Sequence, residues 1–80
     1  MQLQLLFFGI TSDITQKRSD KITVSEGITI GELKEKLVLD YPKLKNYNSF
    51  SIALNTEYAS DESILKNGDV VALIPPVSGG

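Results

Sequence analysis

The chain has 80 residues, enough for one domain with a modest core, because a chain of this size buries only about 60% of the surface its unfolded form exposes. It contains no His and no Cys, which excludes the usual zinc sites, Cys or Ser–His nucleophilic pairs, redox dithiols and any disulfide framework. Hydrophobic residues at 41% and charged residues at 22% are ordinary globular usage, and a net charge of −2 gives no electrostatic footprint for nucleic acid, suiting a basic partner surface instead.

The first predicted strand covers residues 2–8, with Leu3, Leu5 and Phe7 alternating onto one face and Gln4, Leu6 and Phe8 onto the other. Gly9 ends it. Residues 11–20 are polar and read as a solvated loop, after which residues 21–25 restore alternation with Ile22 and Val24 inward, the second arm of an antiparallel hairpin. The opening apolar run lacks a basic start and a small-residue cleavage site, and no segment approaches the roughly 18 apolar residues of a membrane span. A soluble cytoplasmic domain that binds no membrane is the expectation.

The main helix is expected over residues 30–40. Thr29 and Glu32 fit a capping box, Ile28 and Leu33 occupy the positions of a hydrophobic staple, and Ile30, Leu33 and Leu37 follow at helical spacing. Glu32 and Lys36 are placed for an i,i+4 pair, and Pro42 limits the helix by pushing Tyr41 toward extended geometry. Lys43 and Lys45 lie just beyond the negative end of the helix dipole.

Residues 50–54 alternate as a strand, 55–56 form a turn, and 57–59 return from it. Residues 61–65 are expected as a single helical turn, Asn67-Gly68 as a left-handed turn, and 70–74 as a continuous apolar strand stopped by Pro75-Pro76. The order describes a small α+β fold of about five strands in a mixed sheet with one main helix on one face. The ubiquitin-like β-grasp arrangement fits, with the first and last strands as parallel central neighbours. One domain over residues 1–76 and an extended tail over 77–80 follow.

The body offers little chemistry. Asp61 and Glu62 are consecutive on a turn, so their carboxylates point apart. Lys17-Arg18 is too small to bind a phosphate polymer. Gly27 and Gly31 do not form a phosphate-cradling loop, because Thr29 caps a helix between them. The tail is different. Two terminal glycines arise by chance in only about 0.5% of chains at a Gly usage of roughly 7%. The prolines lack an N–H and cannot extend the sheet, so the segment leaves it stretched out. Residues 77–80 then reach about 13 Å at ~3.3 Å per residue. Gly79 and Gly80, without Cβ atoms, can thread a channel too narrow for other residues. Such a channel would receive the Gly80 carboxylate, a poor electrophile until a partner enzyme adenylates it. Attack by sulfur would then give a thiocarboxylate, which lets a chain without cysteine carry sulfur.

If Val71 and Leu73 face the helix, Val70, Ala72 and Ile74 emerge on the opposite sheet face. Leu6 and Phe8 join them from the first strand, and Tyr58 lies at the edge. This apolar face is expected to be a protein interface.

Gly68-Asp69-Val70-Val71-Ala72-Leu73-Ile74-Pro75-Pro76-Val77-Ser78-Gly79-Gly80 resembles the C-terminal signature of the molybdopterin synthase small subunits, a family of ubiquitin-like sulfur carriers. The resemblance extends through Asn55-Thr56-Glu57-Tyr58 and Leu65 to Leu5-Leu6-Phe7-Phe8-Gly9. It departs at Thr11-Ser12-Asp13, where many members carry an Arg-Glu pair.

The resemblance implies a subunit that is no enzyme on its own and binds no cofactor or metal. An E1-like enzyme would adenylate Gly80 with ATP before sulfuration. The large, catalytic subunit would then receive the tail, with Phe8, Tyr58, Ile74, Pro75, Pro76, Val77 and Ser78 at the interface. There sulfur would pass to cyclic pyranopterin monophosphate to make the dithiolene of molybdopterin. Two small and two large subunits would form a heterotetramer. Three alternatives stand beside this reading: a thiamine-pathway sulfur carrier, a ubiquitin-like protein modifier, and a plain interaction domain with an inert tail. The segment Ile74-Pro75-Pro76-Val77-Ser78 looks more like the molybdopterin carrier than the thiamine one.

Overall fold

A computed structural model of the chain describes residues 1–47 and 50–75. Five strands form one sheet in the order β2-β1-β5-β3-β4, where β1 is Gln2–Phe7, β2 Ser19–Thr23, β3 Ser51–Leu54, β4 Glu57–Tyr58 and β5 Val70–Ile74. β1 and β5 are parallel and central; the other pairings are antiparallel. This is the expected β-grasp fold. Parallel neighbours need a long crossover, and here the whole chain between them supplies it, including the main helix α2 (Ile30–Asp40).

The core follows the alternation of the sequence. Leu3, Leu5 and Phe7 of β1, Val71 and Leu73 of β5 and Ile52 of β3 all point to one face, where Ile30, Leu33 and Leu37 of α2 cover them. The helix has the expected bounds because its first turn is well satisfied. Glu32 N–H donates to Thr29 Oγ1 at 3.2 Å, and Thr29 N–H donates to Glu32 Oε1 at 3.1 Å. Thr29→Ala is expected to cost about 1 kcal/mol of stability, readable as a lower urea midpoint at unchanged slope.

Several expectations are corrected. The polar stretch over 11–20 is not a loop: residues Ile10–Thr15 form a short helix, α1, and β2 begins at Ser19. Its inward positions are Thr11 and Thr15, both buried, with Ile14 partly so. Their hydroxyls donate to the carbonyls of Phe8 (2.6 Å) and Thr11 (2.9 Å), so a face that reads as polar is internally satisfied. Thr11-Ser12-Asp13 therefore lies in a helix. β2 runs two residues earlier than expected because its register sets Ser19 against Leu6 and Thr23 against Gln2. Ile22 and Val24 still face inward, and Val24 N–H bonds Met1 O just beyond the strand. β1 ends at Phe7, β3 starts at Ser51 and β4 stops at Tyr58, each one residue short of expectation.

The helical turn expected over 61–65 is absent. The carbonyls of Asp61 and Ser63 instead accept from Gly31 N–H and Ile30 N–H, so this loop satisfies donors in the first turn of α2. Ile64 makes an isolated bridge to Thr29. The Glu32–Lys36 pair does not form either. Glu32 is committed to the cap, Lys36 approaches Asp40 at 4.0 Å, and Lys34 bonds Asp61 at 2.7 Å. Tyr41 leaves the helical region before Pro42, at φ −131° and ψ 81°, so the helix ends where expected, but residues Pro42–Tyr47 then form a 3-10 helix that carries Lys43 and Lys45. Pro42 suits its first position, and Leu44, fully buried, anchors it.

The turns hold as expected. Asn55 and Thr56 have φ of 50° and 76°, and Gly68 has φ of 86°. The Asn55 side chain ties the β3–β4 turn to β5, its amide donating to Asp69 Oδ1 at 2.9 Å and its oxygen accepting from Val70 N–H at 2.9 Å.

Candidate functional site

The register assigns the outer sheet face residue by residue, since cross-strand partners share a face. Gln4 pairs with Val70, and Leu6 with Ala72; Ala72 pairs with Ala53, which pairs with Tyr58. Ser51 pairs with Ile74. The face therefore divides in two. Gln2, Gln4, Ser19, Lys21 and Thr23 form a polar half over β2 and the start of β1. Leu6, Val70, Ala72, Ile74, Ala53 and Tyr58 form a mainly apolar half, with Ser51 on the same face beside Ile74 and Ala53.

Phe8 is 49% exposed and Tyr58 74%, with Val70 also open, while Leu6, Ala72 and Ile74 are half-buried. The helix lies on the other side, so α2 leaves these side chains uncovered. Phe8, Tyr58 and Ile74, the interface residues expected from sequence, thus belong to one surface. Asp placed at Phe8 or Ile74 would put a charge there without touching the core. Phe8→Asp and Ile74→Asp are expected to weaken binding of a purified large subunit at least tenfold in a titration while leaving the urea midpoint nearly unchanged.

The point where the chain leaves the sheet is held by a corner that sequence reading missed. Phe8 N–H donates to Leu73 O at 3.3 Å, extending the β1–β5 ladder by one bond, and Thr11 Oγ1 lies 3.4 Å from the same oxygen. Gly9, at φ +55°, packs beneath Pro75: a Cβ on Gly9 would stand 2.9 Å from Pro75 Cγ. The only local signal is a glycine directly after an apolar strand. Pro76, Val77, Ser78, Gly79 and Gly80 lie outside the described residues, as does the expected boundary between 76 and 77.

Two of the charged clusters noted in the sequence are tied up in ion pairs. Asp61 is paired with Lys34 and does not form an acid pair with Glu62. Lys17 bonds Asp20 at 3.0 Å; this contact, with a smaller contribution from the Tyr41 phenol, raises the lysine pKa, and the Lys17 ammonium lowers that of Asp20. A groove of about 410 Å³ on the helix side is lined by Lys34, Glu35, Val38, Leu39 and Phe50, and its one ammonium, Lys34, is paired with Asp61. Among the described residues, no cluster of His, Cys, Asp and Glu is suited to a metal ion, and no helix is long and apolar enough to cross a membrane.

Comparison with known proteins bears on this surface and its tail. The ThiS family model matches residues 5–80. A molybdopterin synthase sulfur carrier subunit of Arabidopsis thaliana is 32% identical over 81 residues, covering 100% of this chain and 84% of the relative. Among solved structures, the Helicobacter pylori complex of subunits 1 and 2 of molybdopterin-converting factor contains a chain 30% identical, with TM-score 0.70 and 100% coverage of both chains. SAMP1 of Haloferax volcanii, a small archaeal modifier protein, is 26% identical with TM-score 0.85, again covering 100% of each chain.

Proposed function

The chain belongs to the ThiS family, among the molybdopterin synthase sulfur carrier subunits, and from that premise we propose that it carries sulfur as a thiocarboxylate on Gly80 for molybdenum cofactor biosynthesis. The single observation that carries the reading is that the family match runs through the strand-proline-glycine segment as far as Gly80.

The chemistry follows from the carboxylate. Its oxygen attacks the α-phosphate of ATP in an E1-like enzyme, pyrophosphate leaves, and the acyl adenylate forms. Hydrosulfide attacks the acyl carbon, AMP leaves, and loss of the S–H proton gives the thiocarboxylate. The chain then docks its apolar sheet face on the large subunit and extends residues 76–80 into that subunit's active site. The thiocarboxylate sulfur bonds to a carbon of cyclic pyranopterin monophosphate as an oxygen substituent leaves that carbon, and water cleaves the resulting thioester, leaving the sulfur on the pterin and returning Gly80 to the carboxylate. A dithiolene needs two sulfur atoms, hence two loading events per product, in keeping with a heterotetramer of two small and two large subunits. The complex named in the Helicobacter pylori structure supports the pairing of small and large subunits. The globular body supplies position and recognition; it carries no catalytic residue and binds no cofactor.

Reconstitution tests this directly. Chain loaded with sulfur at Gly80, mixed with a large subunit and cyclic pyranopterin monophosphate, is expected to yield molybdopterin, and unloaded chain none. Equal product from both would refute the reading. The likeness to SAMP1 gives a second reading specific weight, since a lysine amine could attack the same acyl adenylate. Recovery of Gly80 in isopeptide linkage to other proteins would show that activity. The thiamine-pathway alternative predicts transfer to a thiazole precursor instead.

A further inference from the structure

The sheet has two edges. β4 is two residues long, whereas β2 presents five, enough to template another strand. Phe7 N–H donates to Arg18 O and Val24 N–H to Met1 O, both at 2.9 Å, so residues 18, 20, 22 and 24 turn their backbone groups toward β1. Ser19, Lys21 and Thr23 therefore turn theirs outward, with Lys21 N–H at the middle of the edge. That donor is taken by the preceding side chain. Asp20 Oδ1 accepts it at 2.9 Å, while Asp20 Oδ2 accepts from Lys17 Nζ at 3.0 Å. Asp20 is also out of pattern. It sits opposite Leu5, on the face that Ile22 and Val24 share with the core, where strand alternation calls for an apolar residue.

We propose that Asp20 guards the β2 edge: held by Lys17, its carboxylate occupies the central outward N–H and blocks addition of β2 from a second copy of the chain. Two features of one residue serve that end. The carboxylate withholds a donor that an added strand would need, and an added strand would have to cover a charge on the core side of the sheet. Register makes the second copy the fitting occupant. An antiparallel pairing about a two-fold axis at Ile22 sets Ile22 against itself on the core side and Lys21 against Thr23 on the outer side, with no like charges opposed. Lys21 and Thr23 are then the hydrogen-bonded pairs, so each Lys21 N–H must reach Thr23 O of the other copy. Asp20 holds both of those donors back. The guard involves neither the tail nor the outer face, so it stands or falls apart from the carrier reading.

Sedimentation velocity on the full chain tests it with three variants. Asp20→Ala is expected to self-associate at least about tenfold more tightly than wild type, because it frees two backbone donors per dimer. Asp20→Asn keeps an oxygen for the Lys21 N–H and is expected to stay within about threefold of wild type. In the double variant Asp20→Ala/Lys21→Pro the freed donor is gone, and proline is tolerated on an edge strand where its nitrogen faces solvent. Its self-association is expected to return to the wild-type level. An Asp20→Ala chain that associates no more tightly than wild type would overturn the guard. Equal association of Asp20→Asn and Asp20→Ala would show that charge alone keeps copies apart, and would overturn it too. So would a double variant that still associates, whether through another surface or by misfolding.

Discussion

Removing Gly80, or adding one residue after it, is expected to lower molybdopterin formation by more than a thousandfold while leaving the fold and the urea midpoint unchanged. The size of the effect follows from where the reacting atom sits. In the proposed cycle the carboxylate of Gly80 is adenylated, sulfurated and spent. Deletion moves it back by about 3.3 Å to Gly79, and extension replaces it with an amide and places a new carboxylate as far beyond. A displacement of even 1 Å at a reacting centre can cost on the order of a hundredfold. Stability is expected to stay as it is, because the core of the described residues is built from Leu3 to Leu73. The decisive readout is single-turnover product formation with each variant taken through adenylation and sulfuration. Wild-type rates from a chain lengthened by one residue, with no trimming back to Gly80, would show that the reactive group lies elsewhere.

Leu73→Ala is expected to have the largest effect on folding. Leu73 is fully buried on the central strand, paired with Phe7 on one side and Ile52 on the other. Truncation removes its buried methyl groups and leaves a cavity beneath α2, a cost of about 2–5 kcal/mol. An 80-residue domain has roughly 4–12 kcal/mol in total, so the variant would sit near the limit of folding. Urea unfolding followed by circular dichroism would give the shift, with an unchanged slope confirming a stability effect. A shift under 1 kcal/mol would mean that the core around β5 repacks and is less well specified than its burial indicates. One residue away, Ala72 points to the opposite face, and its substitution is expected to alter stability far less. That contrast between neighbours is a direct consequence of the period-2 alternation of β5.

The same alternation explains which parts of the fold were legible in the sequence. β1, β5 and α2 carry aliphatic side chains at strand or helix period, and their faces read off correctly, down to the capping box at Thr29. α1 was hidden because its inward residues are Thr11 and Thr15, polar by composition but satisfied by neighbouring carbonyls. The loop over 61–65 looked helical because its residues favour a turn. Its carbonyls instead bond the first turn of α2, a long-range pairing that no local pattern encodes. The 3-10 helix was missed because Pro42 reads as a stop and equally well starts the next element. Phe8, Tyr58 and Ile74 were legible as surface from alternation alone. Ala53 was not, since its place beside Ala72 depends on strand order and register. The Gly9–Pro75 contact joins residues 66 positions apart and likewise required the fold.

Intact-mass analysis of the chain isolated from its native host, with fragmentation of the C-terminal segment, tests the central claim most directly. A species in which one oxygen of the Gly80 carboxylate is replaced by sulfur, lost on mild hydrolysis, is the predicted result. A terminus found only as the free carboxylate in cells actively making molybdenum cofactor, even when the large subunit is deleted so that loaded carrier accumulates, would contradict it.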